Sequence, residues 1–245
     1  MKKGLIDKLK RDILLWQGYK PQSNHTEEKI GLGGLESAFP NGVFPKGAIH
    51  EFICFQPESS AASNGFVAAL LSVLMKQNEV CLWVSTSRKL FPIALRMFDV
   101  KPEQIIFIDV KTEKEALWVT EEALKCEGLT AVVAEINNLN LIESRRLQLA
   151  VEESGVTGFI IRKSVHKAIT TGAAARWKVI PLPSETEAGM PGIGFPRWSI
   201  ELIKVRNGNP GNWAFDWMGD KLVEVLSHKQ EKETSWFDLN VKLFG

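Results

Sequence analysis

The sequence predicts an α/β fold: a mostly parallel sheet flanked by helices, preceded by a short N-terminal helix and closed by a C-terminal β-hairpin. Three observations carry this. Five short runs rich in Ile, Val and Phe (48–55, 80–85, 104–110, 130–136 and 157–162) recur roughly every 25 to 30 residues. These runs do not alternate cleanly, which is the pattern of strands buried on both faces. Helical patterns lie between them, at about 64–77, 91–98, 113–126 and 141–153, and strands alternating with helices at this period argue for parallel pairing.

Taken in order, residues 3–16 place Leu5, Ile6, Leu9, Ile13, Leu14 and Trp16 on one helix face, which Gly18 and Pro21 stop. A polar linker over 20–30 follows, so residues 1–29 read as helix plus linker. The helices at 113 and 141 begin with capping boxes, Thr112 with Glu115 and Asn140 with Glu143. Residues 177–182 read as a strand, and 184–196 as a Gly/Pro-rich loop. The glycines of that loop lack the strand-to-helix setting of a nucleotide fingerprint. Residues 197–206 form a half-buried strand, 207–212 a turn and 213–217 its partner strand. The main domain is thus expected over 30–219, with a tail over 220–245. In that tail, Trp236, Phe237, Leu239, Leu243 and Phe244 follow a polar linker and are candidate partner contacts. They would add to the chain's own sheet or lodge in a partner's groove. The Leu-Phe ending is similar to short replication-clamp ligands, without the glutamine that opens those.

The composition bounds the function. The 245 residues are 44% hydrophobic and 24% charged with a net charge of +1, which excludes wholesale disorder and a histone-like, charge-driven nucleic-acid binder. Cys54, Cys81 and Cys126 have no zinc-ligand spacing and read as buried free thiols of a reducing compartment. Asp7, Lys10, Arg11 and Asp12 interrupt any signal-peptide core, and no apolar stretch approaches the roughly 20 residues of a membrane span. A cytoplasmic protein is expected.

The place where phosphate chemistry should sit is between the first strand and the next helix, where G-x-x-x-x-G-K-[ST] is the working pattern. Here the spacing reads Gln56-Pro57-Glu58-Ser59-Ser60-Ala61-Ala62-Ser63. Gln56 and Ala61 stand for the glycines and Ala62 for the lysine, and Ser63 alone keeps its type. Small residues at 61–63 still allow a tight strand-to-helix turn, and a helix N-terminus there still offers backbone N–H groups to a weakly held anion. Hydrolysis is not expected, and neither is a cofactor or a metal.

Two stretches carry a family resemblance. Ile30-Gly31-Leu32-Gly33-Gly34-Leu35-Glu36 and Phe44-Pro45-Lys46-Gly47-Ala48-Ile49-His50-Glu51-Phe52, with Pro57-Glu58-Ser59-Ser60, resemble the RecA recombinase family. The second stretch, together with 145–150 (RRLQLA), 175–177 (ARW) and 194–202 (GFPRWSIEL), is similar to the ImuA family, the RecA-like accessory proteins of bacterial SOS mutagenesis cassettes. The resemblance spans about 30–217. It implies a RecA-like core in which Ser87 stands at the general-base position and Glu135 is a vestigial strand-end acid. It implies a non-catalytic adaptor for translesion DNA synthesis, with a polymerase-like ImuB protein and RecA as partners. Two alternatives stay open: a divergent RecA-type ATPase that binds nucleotide and DNA, and a regulator like the SOS cell-division inhibitors. In RecA-like folds the loop after the fifth strand faces DNA, which makes Arg162, Lys163, His166 and Lys167 candidate contacts. Residues 143–209 hold ten basic against six acidic residues. Trp177, Trp198, Trp213 and Trp217 are either core residues or stacking platforms for bases.

Overall fold

The computed structural model describes residues 29–75, 79–163, 170–184 and 194–225. The expected helix over 3–16, His166, Lys167 and the apolar tail residues Trp236, Phe237, Leu239, Leu243 and Phe244 lie outside them. The described residues form one nine-stranded sheet in the order β3-β2-β4-β5-β1-β6-β7-β8-β9. Strands β1 (Ile49–Ile53), β2 (Cys81–Ser85), β3 (Ile105–Asp109), β4 (Ala131–Glu135), β5 (Thr157–Arg162) and β6 (Ala175–Leu182) pair in parallel. Strands β7 (Arg197–Val205), β8 (Gly211–Met218) and β9 (Lys221–Val225) continue from β6 as antiparallel hairpins.

The lack of alternation in the early strands has the expected cause, since β1, β2, β4 and β5 are buried at every residue. Helix α1 (Pro57–Leu74) covers one face, packing Phe66, Leu70 and Leu74 with Phe52, Trp83, Phe159 and Trp177. Helices α2 (Glu113–Leu124) and α3 (Leu141–Ser154) cover the other, packing Ala116, Leu124, Leu147 and Val151 with Ile49, Val84, Val132 and Ile160. Both capping boxes form as read.

Trp177, Trp198 and Trp217 belong to the core, and Trp213 is half-buried against it. Trp177 is fully buried and stacks on Phe52 with ring centroids 5.7 Å apart, while Trp198 and Trp217 are 4% and 2% exposed. No face of these three is open to a base. His50 is also a core residue. Trp177 Nε1–H donates to its Nδ1 at 3.2 Å, so Nε2 carries the proton and donates to the Pro45 carbonyl at 2.8 Å.

Four expectations need correction. Helix α1 begins at Pro57, not near 64. Segment 91–98 is a 3-10 helix, Pro92–Phe98, ended by Asp99 in the left-handed region. Cys126 is exposed, because it lies in the turn beyond α2 where Leu129 N–H bonds to its carbonyl. Strand β9 extends the sheet to Val225, into the segment read as tail. Its Glu224 accepts the Gly34 N–H at 2.6 Å and so fastens the opening segment to the last strand.

Candidate functional site

The carboxyl ends of β1, β4 and β5 meet at one end of the sheet. Open α/β sheets bind ligands there. After β1, Cys54 N–H still bonds to Arg162 O at 2.9 Å, Phe55 turns outward, and Gln56 is the N-cap of α1. Pro57 occupies the first helical turn, where a missing N–H costs nothing and φ is already suited to a helix. Gln56 makes no side-chain cap bond. The tight strand-to-helix turn read from the small residues at 61–63 is therefore replaced by helix that has already run from Pro57. The N–H groups of 61–63 point along the helix to its own carbonyls. They cannot converge on a phosphate while that helix persists. Ala62 is 6% exposed and Ser63 fully buried, both facing the sheet. The Cys54 thiol donates to Ser63 Oγ at 3.4 Å, and burial pushes its pKa up.

Glu135 ends β4 and is 5% exposed. Lys163, one residue past β5, donates its ammonium to Glu135 Oε2. The other carboxylate oxygen, Oε1, is buried without a hydrogen-bond partner. The strand-end acid is thus met by a cation from its own chain. The backbone of Lys163 is held too, by Asn137 Oδ1 at 3.1 Å. Asn137 and Asn138 are fixed in turn by the Glu113 carboxylate from α2, at 2.6 and 2.8 Å. The connection after β4 and the start of the one after β5 form a single polar unit. Ser87, at the position of the general base, is exposed after β2.

Sequence reasoning missed the most heavily buried charge among the described residues. Glu51, in the middle of β1, is fully buried. Arg162 Nη1 donates to its Oε1 at 2.6 Å. Arg176 Nε and the Thr171 hydroxyl donate to its Oε2 at 2.9 and 2.6 Å. Arg162 Nε also reaches the Asn137 carbonyl at 3.1 Å. The group ties β1, β5 and β6 together and holds the chain on both sides of 164–169. Its signal was an acid inside AIHEFICF, a run whose strand residues, Ile49–Ile53, are all buried. Such an acid requires cations beside it.

This geometry revises the candidate nucleic-acid contacts. Arg162 is 3% exposed and spent on Glu51, so it faces no solvent phosphate. Lys163 is spent on Glu135. Of the ten basic residues in 143–209, Arg146, Arg162, Lys163, Arg176, Lys178, Arg197 and Arg206 each pair with a carboxylate. The local excess of positive charge is largely used inside the fold. Among the described residues no group of three or more His, Cys, Asp or Glu is placed to hold a metal ion, and no helix is long and apolar enough to cross a membrane.

No protein-family model matches the chain. Protein ImuA from two strains of Caulobacter vibrioides is 31% identical over 196 residues, which is 75% of this chain and 80% of that protein. Protein RecA of Rickettsia canadensis is 25% identical over 118 residues, 48% of this chain and 34% of its own length. The sheet agrees with that second likeness: a mostly parallel core flanked by helices, with antiparallel hairpins at its C-terminal side. The chain belongs to the ImuA family, on a RecA-like core.

Proposed function

We propose that the protein is a non-catalytic, RecA-like adaptor that supports damage-induced translesion DNA synthesis by binding a polymerase-like ImuB partner, with RecA as a second partner. Family membership supports the setting in SOS mutagenesis. The observation that carries the non-catalytic part is the helical state of 57–63. A phosphate loop works through converging backbone N–H donors plus one lysine, and here the donors are in helix α1 and the lysine position is the buried Ala62. Lys163 on Glu135 supports it further, since a strand-end acid already neutralised by an ammonium is a poor partner for magnesium. Direct DNA contact is a minor part of this reading, because Arg162 and Lys163 are engaged within the fold.

A second reading, a divergent ATPase that still binds nucleotide, is favoured by one observation. The N-terminus of the 18-residue α1 has no side-chain cap, and a helix N-terminus attracts anions. Titration calorimetry with ATP and magnesium separates the two. The adaptor reading expects no heat of binding at about 100 μM protein, a level at which affinities tighter than about 100 μM are visible. Micromolar, magnesium-dependent binding favours the ATPase. Affinity purification after DNA damage tests the partner. Recovery of the polymerase-like protein supports the adaptor, whereas recovery of a cell-division protein in its place supports the regulator.

A further inference from the structure

We propose that the 3-10 helix Pro92–Phe98, with the residues just before it, is a docking surface for an acidic amphipathic peptide of another protein. Phe91, Ile93 and Met97 are 69%, 54% and 61% exposed, three large apolar side chains within seven residues. They are not outward because the segment is loosely held. Leu95 is 1% exposed beneath it, and the Phe98 ring lies 6.0 Å from Trp198 and 5.6 Å from Trp217. Trp217 Nε1–H donates to the Met97 carbonyl at 2.6 Å, and Asp99 N–H closes on Arg96 O. The period of three puts Pro92, Leu95 and Phe98 in the row facing the body. Ile93 and Arg96 share another row, and Met97 stands in the third. Phe195, 40% exposed, lies on the segment that runs beside Trp217. Trp217 N–H is anchored there by the Pro196 carbonyl.

The rim of this patch has one dominant sign. Residues 88–101 contain Arg88, Lys89, Arg96 and Lys101 against the single acid Asp99. Arg88 pairs with Asp109 at about half exposure, while Lys89 and Arg96 are exposed with no ion pair among the described residues. Apolar centre and basic rim together select the occupant. Bare Phe, Ile and Met side chains gain by covering apolar area, which a nucleic-acid backbone does not provide. Lysine and arginine at the edge favour carboxylates and repel basic segments. A peptide with apolar side chains on one helix face and glutamates beside them meets both demands. Met97 is suited to such a contact, because an unbranched thioether adapts to the shape it covers. The surface stands on these residues whatever the proposed adaptor role proves to be.

The test uses the full chain and a fluorescein-labelled helical peptide of about 18 residues, with Leu and Phe at i, i+3, i+4 and i+7 and glutamates on the flanks. Its control carries lysine at every glutamate. Anisotropy should give a dissociation constant of about 10–100 μM, with the lysine control about tenfold weaker, and weaker acidic-peptide binding as salt rises. Ile93→Ser with Met97→Ser should weaken binding about tenfold, as expected for loss of two apolar anchors. Arg96→Glu, also on the exposed face, should reverse the preference between the two peptides. Melting temperatures of all variants should match the parent. Equal affinity for both peptides, or binding indifferent to these variants, overturns the proposal. It is also overturned if a single-stranded oligonucleotide displaces the peptide through the same residues. So too if light scattering shows a dimer that Ile93→Ser dissolves while the peptide fails to bind.

Discussion

His50 is a neutral imidazole that folding has fixed in one tautomer. Its Nδ1 accepts from Trp177, and burial lowers its pKa to about 4 from 6.5. Between those values the unfolded chain binds the proton and the folded chain does not, so stability is complete above pH 6.5 and falls as the pH drops toward 4. The full loss is about 3 kcal/mol at roughly 1.4 per pH unit. Urea unfolding at pH 7 and pH 4.5 should show it, and His50→Gln should flatten the dependence. If the variant keeps the parent's slope over that window, His50 is not its source. Glu51 poses the opposite problem, a charge kept buried. Glu51→Gln leaves two guanidinium groups short of a counter-charge and should cost about 3–5 kcal/mol. Replacing the group as a whole, Glu51→Leu with Arg162→Met and Arg176→Met, should recover most of that loss, because apolar packing carries no desolvation penalty. If the triple variant is as unstable as Glu51→Gln, the group does more than balance charge.

At the scale of elements, helix α1 is where sequence pattern and structure part. A lysine introduced at Ala62 would start in a site 6% exposed, beneath the helix and against the sheet. Ala62→Lys should therefore lower stability by about 3 kcal/mol, as desolvating an ammonium costs several kcal/mol, and restore no hydrolysis. Unchanged stability with new magnesium-dependent ATP binding would mean that 57–63 unwinds into a loop. Ser63→Ala should leave mutagenesis intact, since that hydroxyl only receives the Cys54 thiol. The parallel strands were legible because each is an apolar run long enough to cross the sheet once. The capping boxes were legible because both partners lie within four residues. The start of α1 was not, because spacing to the phosphate pattern outweighed Pro57, which is itself a first-turn signal. The Glu51 group was hidden for a different reason. Its cations lie 111 and 125 residues away, and only the order β5-β1-β6 brings them alongside.

Across the whole molecule, both sides of the described chain converge on the antiparallel end of the sheet. Asn209 N–H bonds to Ala38 O at 2.8 Å, and a Cβ on Gly208 would stand 2.2 Å from that same oxygen, so only glycine fits the turn. Glu224 closes over Gly33 and Gly34 from β9. Leu222 is 8% exposed and joins the core that contains Leu32, Leu35 and Phe215. Among the described residues the sheet is complete only when β9 is present, its pairing reaching Val225. Removing residues 219–245 would leave β8 as an unpaired edge, take Leu222 out of the core and orphan the Gly34 N–H. Loss of one buried leucine alone is worth about 2–5 kcal/mol, so this truncation should lower the melting temperature by at least about 5 °C. Removing only 226–245 spares every one of those contacts, so the shorter truncation should melt above the longer one. Equal melting temperatures for the two truncated chains would mean that β9 contributes nothing to the core, and the boundary of the folded domain would then belong at 219.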